Sequence, residues 1–488
     1  MSVAPWFETS GALAGAPGAR ALAVSSEAWR EAAQAFASAG GRLLALWAGE
    51  RSGVELCLYA AFVASPGVLV LEMPAVDQYP GIQDLFPAAS RMQRAVADHY
   101  GIYSTDPDRR PWLAHPRGPG YAFVRVEGDG VHEIPVGPVH AGIIEPGHFR
   151  FSVVGEKVLR LEERLGYTHK GIERRFTELE VSQGQRLAAR VSGDTAVGFS
   201  WAYAQALEGL ARVEVPARAA YLRALCLEIE RLQNHLGDLG ALGNDAGFAF
   251  GLAQFSRLKE HLLRATETAF GQRYLLDAIV PGGVANDLPA AGATALSACA
   301  DMIEAQVALL RDIYDEHSGL RGRFVGAGVV APELAARLGL TGLAGRASGQ
   351  DHDLRADLPC APYRELAPKK CGGIAGDVAA RVAIRFDETF ESCRLMRRIL
   401  ADLPLGPHRM TVPQPPAHEL GLGLIEAWRG PVLVALVAGP EGAIARCHPH
   451  DPSWQNWPVL EHAIIDNIVP DFPLINKSFN LSYSGHDL

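Results

Sequence analysis

Apolar residues in the first hundred positions fall into short runs separated by glycine and proline, a pattern typical of strands and helices joined by tight turns. Amphipathic spacing predicts helices at residues 27–37 and 91–99, the second ending before Gly101. Apolar runs between these helices predict strands at residues 42–47, 54–60 and 68–72. The first part of the chain is therefore predicted to be a small α+β domain.

After Val136 the pattern changes to long helical periods framed by two β-hairpins. The first hairpin is predicted at 148–160, around the turn Gly155-Glu156, and the second at 421–428 and 431–438, around Arg429-Gly430. Between them, helices are predicted at 216–238, 254–270, 295–316 and 377–402. The predicted fold class is α+β: a small N-terminal α+β domain followed by a mainly helical domain with β-hairpins.

A segment rich in proline, glycine and arginine lies between the two parts, from Asp106 to Gly120, and such composition is typical of a connecting segment. The predicted organisation is a domain at residues 1–115, a linker at 116–135 and a second domain at 136–488. A chain of 488 residues is long enough for this arrangement.

Composition narrows the range of functions. A formal net charge of −10 argues against a general nucleic-acid-binding protein, so no nucleic-acid partner is expected. No apolar run reaches the length of a membrane-spanning helix, and the first residues lack the pattern of a secretory signal. The seven cysteines are scattered without a C-x-x-C pair, which is expected of buried thiols in a reducing compartment. No G-x-G-x-x-G stands between a strand and a helix, so direct NAD binding is not expected.

Many short motifs of the second domain occur in one fixed order. They include Glu145-Pro146-Gly147-His148, Arg190-Val191, Glu228-x-Glu230-Arg231, Asp353-x-Arg355-Ala356-Asp357 and Glu426-Ala427-x-Arg429-Gly430. On these motifs the chain resembles the large subunit of the energy-converting, formate hydrogenlyase-type nickel–iron hydrogenases. The quinone-side large subunit of respiratory complex I shares that architecture, so the resemblance implies a hydrogenase-like scaffold over almost the whole second domain.

The N-terminal domain carries a resemblance of its own. Tyr79-Pro80-Gly81-Ile82 and Arg94-x-x-x-Asp98-x-Tyr100-Gly101-Ile102 are similar to the small peripheral-arm subunit of complex I. In formate hydrogenlyase-type large subunits that domain precedes the hydrogenase domain, and the order in this chain is the same.

The family holds its metal centre with two Cys-x-x-Cys pairs, and the resemblance places four other residues at those positions: Ser192, Thr195, Ser482 and Gly485. Thiolates are the soft donors that such sites require, and neutral hydroxyls are weak substitutes. The resemblance therefore implies a scaffold without its metal, and neither a bound metal nor hydrogenase activity is expected.

Groups that surround the centre in the family have counterparts here in Glu145, Arg190, Asp353 and Arg429. Asp194 is a further carboxylate in the first ligand loop, and we expect it to pair with Arg190 or Arg429. Candidate catalytic residues are accordingly Glu145, Arg190, Asp194 and Arg429. These residues and His140 can equally form a buried ion-pair network with a structural role only. Glu228, Glu230 and Arg231 are predicted to be a charge cluster of helix packing.

A quinone is one candidate occupant of the emptied site, because complex I binds one there. The family's quinone-binding histidine aligns near Pro146 and its quinone-binding tyrosine aligns with Gly193, so this chain has neither side chain at the matching position. His140, Gly193 and Tyr483 are the candidate quinone-binding residues. The cavity's carboxylates and histidines can also relay protons.

As for partners, the resemblance implies an iron–sulfur small subunit whose cluster would supply electrons, since this chain has no cluster ligands. It also implies membrane antiporter-like subunits and a formate or other dehydrogenase module. The chain is expected in the cytoplasm, peripheral on the inner face of the cell membrane. Its function is then either that of an oxidoreductase subunit that passes electrons to a quinone, or that of a non-catalytic subunit in structure or energy coupling.

Overall fold

The computed structural model describes residues 2–51, 55–75, 77–113, 120–140 and 144–488. The N-terminal part folds as an α+β unit around a five-stranded sheet with the strand order β1-β3-β6-β5-β4. Its elements are α1 (Ala4–Thr9), β1 (Gly11–Ala12), β2 (Ala14–Gly15), β3 (Ala19–Ala23), α2 (Ser26–Ser38), β4 (Arg42–Arg51), β5 (Glu55–Ala64), β6 (Gly67–Pro74), β7 (Gln78–Tyr79), α3 (Ala89–Tyr100) and β8 (Tyr103–Ser104). The helices and strands predicted in this part are confirmed.

Two helices cover one face of this sheet. The Ser25 side chain caps α2 by accepting a hydrogen bond from the amide of Ala28, and α3 ends at Gly101, which has the left-handed φ of 69° that a helix stop favours. Trp29 and Phe36 of α2 are fully buried, and Phe36 stacks on Phe62 of β5 at 5.0 Å. The apolar spacing seen in the sequence therefore builds the core of this unit.

The first predicted hairpin is confirmed and gains a third strand. The strands β9 (Val131–Val136), β10 (His148–Val154) and β11 (Lys157–Arg164) form an antiparallel sheet in the order β11-β10-β9. β9 lies at the C-terminal end of the segment predicted as a linker, and residues 114–119 of that region are outside the described residues. Arg110, which precedes the predicted linker, forms an ion pair with Glu162 of this hairpin.

Helices make up most of the remaining chain, as predicted. They are α4 (Ile172–Phe176), α5 (Gly184–Ala188), α6 (Ala196–Leu210), α7 (Ala217–Asp245), α8 (Ala249–Phe270), α9 (Ala290–Glu316), α10 (Ser318–Phe324), α11 (Pro332–Leu338), α12 (Gly342–Ala347), α13 (Leu354–Asp357), α14 (Tyr363–Leu366) and α15 (Val378–Ala401). A two-stranded ladder of β12 (Ile279–Val280) and β13 (Gly283–Val284) interrupts them. The mixture of helices and small sheets confirms the α+β class.

By length and composition, α9 is the one helix among the described residues that could span a membrane, which the sequence pattern did not indicate. Only a third of its most apolar window is buried, 33%. It nevertheless packs on both α8 and α15. Its Asp301 and Glu304 form ion pairs with Arg397 of α15. These contacts make it a layer of the helical core.

The second predicted hairpin, β14 (Leu420–Glu426) and β15 (Pro431–Ala438), is confirmed and extended by β16 (Ile444–His450). Short 3-10 turns at Pro440–Gly442 and Val469–Asp471 and the helices α16 (Ser453–Ala463), α17 (Phe472–Phe479) and α18 (Tyr483–Asp487) complete the chain. β2 of the N-terminal part pairs in parallel with β14, and Trp47 of β4 stacks on His448 of β16 at 5.2 Å. The two predicted domains thus share a sheet and a core.

A buried ion-pair network joins α7, α12, α13, α15 and β14. Arg346 contacts Glu388 and Glu426, while Arg355 contacts Asp353 and lies 3.1 Å from Glu228. All six side chains are at most 2% exposed, so the charges are paired away from water.

The predicted packing cluster is therefore confirmed for Glu228 and for Arg231, which contacts Glu388. Glu230 differs: it accepts hydrogen bonds from the amides of Val197 and Gly198 at the start of α6.

Candidate functional site

The two segments that the resemblance places at the family's ligand pairs, residues 192–195 and 482–485, come together at the start of α6 and at α18. A cavity of about 270 Å³ lies between them and extends to the loop before β10 and to the turn between β14 and β15. Its lining includes Glu145, Ser192, Gly193, Asp194, Arg429 and Tyr483. Most of the sequence-predicted site residues are thus brought to one place.

Arg429 and Asp194 form the central contact of this cavity. The Nη1 atom of Arg429 donates to Asp194 Oδ1 at 2.7 Å, and its Nη2 atom contacts Asp194 Oδ2. Arg429 is 4% exposed and its guanidinium lies 4.0 Å over the ring of Trp428. The expected pairing of Asp194 is therefore confirmed with Arg429, in the bidentate geometry that fixes both side chains.

Electrostatics agree with this geometry. Burial raises the pKa of Asp194, but the Arg429 charge and the hydrogen bonds from Arg429, Ser192 and Thr195 outweigh it and hold the pKa below its usual range. Asp194 is therefore ionised at neutral pH, and the pair supplies one negative and one positive charge to the cavity.

Three of the four ligand-aligned positions present hydroxyl groups that bond to one another or to Asp194. Ser192 Oγ lies 2.9 Å from Ser482 Oγ and donates to Asp194 Oδ1, and Thr195 Oγ1 donates to the same oxygen at 3.1 Å. Ser482 Oγ also accepts from the amide of Gly485 at 2.9 Å and so caps α18. The hydroxyls are committed to a hydrogen-bond network inside the protein.

Gly485, the fourth position, faces a carboxyl group. A Cβ atom added to Gly485 would lie 2.7 Å from Asp451 Oδ2 and 2.8 Å from its Cγ, closer than real Cβ contacts. Asp451 is fully buried, and its Oδ1 accepts from the amide of Ser453 at 2.8 Å. Burial raises the pKa of Asp451, and the Arg429 charge offsets this only in part. The space of a side chain at 485 is thus taken by Asp451.

Tyr483 and Glu145 form another wall of the cavity. Glu145 Oε2 accepts from the amide of Ser484 at 3.0 Å, which ties the loop before β10 to α18. The ring of Tyr483 packs on Gly147, where a Cβ would approach Tyr483 Cε1 to 2.8 Å. Burial raises the pKa of the Tyr483 phenol, so it keeps its proton at neutral pH.

Three residues that sequence reasoning placed at the site lie elsewhere. Arg190 points away and pairs with Asp277 at 2.7 Å, with 47% of its side chain exposed. Asp353 is held by Arg355 in the buried network described above. His140 lies near Gly137, outside the lining of this cavity among the described residues. Arg190 was the alternative partner of Asp194, and its orientation toward Asp277 excludes that pairing.

Sequence reasoning missed Asp451, Lys477 and Asn480. Lys477 and Asn480 line the cavity, and the Asn480 carbonyl accepts from Arg429 Nε at 2.5 Å. Asp451 stands before Pro452 at the start of α16, a signal that indicates a helix start but not the approach to Gly485. Among the described residues, no group of three or more His, Cys, Asp or Glu side chains is arranged to hold a metal ion.

Comparison with known proteins agrees with this architecture. The family model described as respiratory-chain NADH dehydrogenase, 49 Kd subunit, matches residues 245–421. Formate hydrogenlyase subunit 5 of Escherichia coli (strain K12) is 30% identical over 84% of this chain and 77% of its own length. The carbon monoxide-induced hydrogenase of Rhodospirillum rubrum is 31% identical over 72% of this chain and 97% of its own length.

A solved structure of the membrane-bound sulfane sulfur reductase, an archaeal respiratory membrane complex, has the same fold. Its TM-score is 0.69 at 23% identity, and the match covers 74% of this chain and 99% of that chain. The fold and the site thus define a hydrogenase-like large subunit. The chain belongs to the family that unites the large subunits of formate hydrogenlyase-type membrane-bound hydrogenases with the 49 kDa subunit of complex I.

Proposed function

We propose that this chain is a nickel-free large subunit of a membrane-associated, multi-subunit oxidoreductase. The observation that carries the proposal is the bidentate pair of Asp194 with Arg429, set among hydroxyls at the positions that align with the metal ligands. An iron–sulfur small subunit supplies its electrons, membrane antiporter-like subunits anchor it to the inner face of the cell membrane, and a dehydrogenase module provides the reductant.

The chemistry of the donor set supports a metal-free site. Nickel–iron centres need soft thiolate donors, and Ser192, Thr195 and Ser482 offer neutral hydroxyls that already bond within the protein. Gly485 has no donor, and Asp451 fills the space beside it. These residues do not fit a nickel–iron centre.

The cysteines give no substitute donor set. Five of the seven cysteines are buried. The other two, Cys360 and Cys371, are partly buried, and this desolvation raises the pKa of each to about 12, which keeps both thiols protonated. None of the seven lines the cavity described above.

Metal analysis of the assembled complex tests the proposal. The complex, purified from its native host through a tag on this chain, is expected to contain iron from its partner and nickel far below one atom per complex. A nickel-containing hydrogenase purified from the same cells serves as the positive control. Stoichiometric nickel that follows this chain, or hydrogen turnover by the complex, would refute the proposal.

A second candidate function, reduction of a quinone, is favoured by the cavity walls. Conversion of a quinone to its quinol consumes two electrons and two protons. The partner's iron–sulfur cluster would supply the electrons. The Tyr483 phenol, which keeps its proton, and the Glu145 carboxylate lie on one cavity wall, where they can relay two protons from water to the quinone oxygens.

Substitution separates this activity from a purely structural role. In the assembled complex, Tyr483→Phe combined with Glu145→Gln is expected to lower quinone turnover at least about tenfold without loss of subunits. Tyr274→Phe, at a residue that is 51% exposed, is the matched control. Unchanged turnover would exclude quinone chemistry in this cavity, and loss of subunits would indicate the non-catalytic, structural or energy-coupling role.

A further inference from the structure

A second pocket, of about 310 Å³, lies where the N-terminal unit meets the helical part of the chain. One wall comes from the end of α2, the start of β4 and residues 85–88, and the other from α11 and the segment after α12. Its volume is within the range of small-molecule pockets, about 300–1,000 Å³. Leu43, Leu85, Phe86 and Leu338 make much of its surface apolar.

The charged side chains in the lining of this pocket are cationic. Arg42, Arg337, Gln350 and His352 line it, and no carboxylate is among its lining residues. Four other cavities of the described structure each include at least one Glu or Asp. In a chain with a net charge of −10, this acid-free lining sets the pocket apart.

Arg42 is the central residue of this pocket because no carboxylate among the described residues forms an ion pair with it. Its one side-chain hydrogen bond among the described residues goes to Thr341 Oγ1, at 3.4 Å. A guanidinium has five N–H donors, so most of the Arg42 donors make no hydrogen bond to a described residue. Arg42 is partly buried, and this desolvation lowers its pKa more than the charges of Glu426 and Asp357 raise it.

The two acids whose charges attract Arg42 form ion pairs with other residues. Asp357 pairs with Lys370 at 2.6 Å, and Glu426 pairs with Arg346 at 3.2 Å in the buried network. Arg337 differs from Arg42, because it lies in the last turn of α11, where a cation complements the helix dipole. Arg337 is also exposed, so Arg42 is the partly buried arginine of the pocket for which the described residues provide no ion pair.

We propose that this pocket binds a small organic anion, a carboxylate or phosphate with an apolar body. Arg42 takes the anionic group in its planar fork, Gln350 and His352 lie beside it, and the apolar body packs on Leu43, Phe86 and Leu338. The ligand would contact both the N-terminal unit and the helical part. This site is separate from the central cavity, so the proposal stands independently of the proposed function.

Direct binding to the full-length chain tests the site. Hexyl phosphate and hexanoate are the soluble probes, and hexan-1-ol is the neutral probe with the same apolar body. Calorimetry is expected to show saturable binding of at least one anion and none of the alcohol. Vesicles of phosphatidylglycerol in phosphatidylcholine form the second arm, and binding to vesicles alone would identify the anion as a lipid headgroup.

Variants tie the binding to Arg42. Arg42→Gln is expected to weaken binding at least about tenfold, as is usual for loss of a charged hydrogen bond, and Arg42→Lys is expected to give an intermediate affinity. Arg321→Gln removes the same charge from an exposed position outside the pocket and is expected to bind like the wild type.

The ligand-free stability of the variants completes the test. Because no carboxylate of the described residues forms an ion pair with Arg42, Arg42→Gln is expected to leave the Tm unchanged or raise it. Binding that persists unchanged in Arg42→Gln, or the absence of binding in both arms, would overturn the proposal. So would a lower Tm of Arg42→Gln together with wild-type affinity in Arg42→Lys, because Arg42 would then be structural.

Discussion

The carboxyl group of Asp451 occupies the space into which any side chain at Gly485 would extend, with Oδ2 2.7 Å from the position of a Cβ atom. Because Asp451 is fully buried and anchored by the amide of Ser453, it cannot move freely. We therefore expect Gly485→Ala to lower the free energy of unfolding by about 1–3 kcal/mol, the usual cost of overpacking. Urea unfolding of the full-length chain measures the change.

Gly193 supplies the control for this substitution. It belongs to the other ligand-aligned loop, and a Cβ added there meets no atom within 4 Å. Gly193→Ala is expected to change stability by less than about 0.5 kcal/mol, as surface substitutions usually do. Equal effects of the two substitutions would contradict the placement of Asp451.

The two arginines that match the family should differ in their contribution to stability. Arg429 is 4% exposed and bonds to Asp194, Thr195 and the Asn480 carbonyl, so Arg429→Gln leaves several polar groups unpaired. We expect it to cost about 2 kcal/mol or more. Arg190→Gln breaks an exposed pair with Asp277 and should cost less than about 1 kcal/mol. Thermal and urea unfolding of both variants check the order, and a reversed order would contradict this site geometry.

The lowered pKa of Asp194 predicts a pH dependence of stability. A carboxyl whose pKa is lower in the folded state stabilises the fold above its unfolded pKa, about 3.9, and this contribution is lost as the pH falls through the folded value. The stability difference between wild type and Asp194→Asn should therefore be constant near neutral pH and shrink below about pH 4. Unfolding measured from pH 3 to pH 8 tests this.

The same titration with Arg429 removed is the control. In an Arg429→Gln background the main cause of the shift is absent, so Asp194→Asn should show a much weaker pH dependence. An unchanged dependence would mean that another group lowers the pKa of Asp194.

The buried network predicts a large effect at residues outside the cavity lining. Arg346 is 1% exposed and contacts both Glu388 and Glu426, so Arg346→Met leaves two carboxylates without their main cation. Removal of one partner from a buried pair typically costs about 3–5 kcal/mol. Arg364→Met, at an exposed position of α14, is the control and should be nearly neutral. A loss below 1 kcal/mol for Arg346→Met would show that the network rearranges.

Periodicity predicted the elements because their apolar residues pack locally. The α2 and α3 helices, the strands β4 to β6 and both hairpins fall where the pattern indicated. The third strand of each hairpin sheet was missed. β9 is half-exposed and lacks a continuous apolar run, and β16 contains the polar sequence Arg446-Cys447-His448. β9 and β16 form strands because they pair with β10 and β15, and this pairing cannot be read from the sequences of β9 and β16 themselves.

The sequence by itself determined the class of scaffold and the residues at the four ligand-aligned positions, because ordered motifs and side-chain identity are properties of the chain. Only the tertiary structure decided that Arg429 rather than Arg190 meets Asp194, that Asp451 fills the place beside Gly485, and that no carboxylate of the described residues forms an ion pair with Arg42. These are contacts between segments far apart in sequence. Their partners depend on side-chain direction and on the packing of separate elements, which no local pattern encodes.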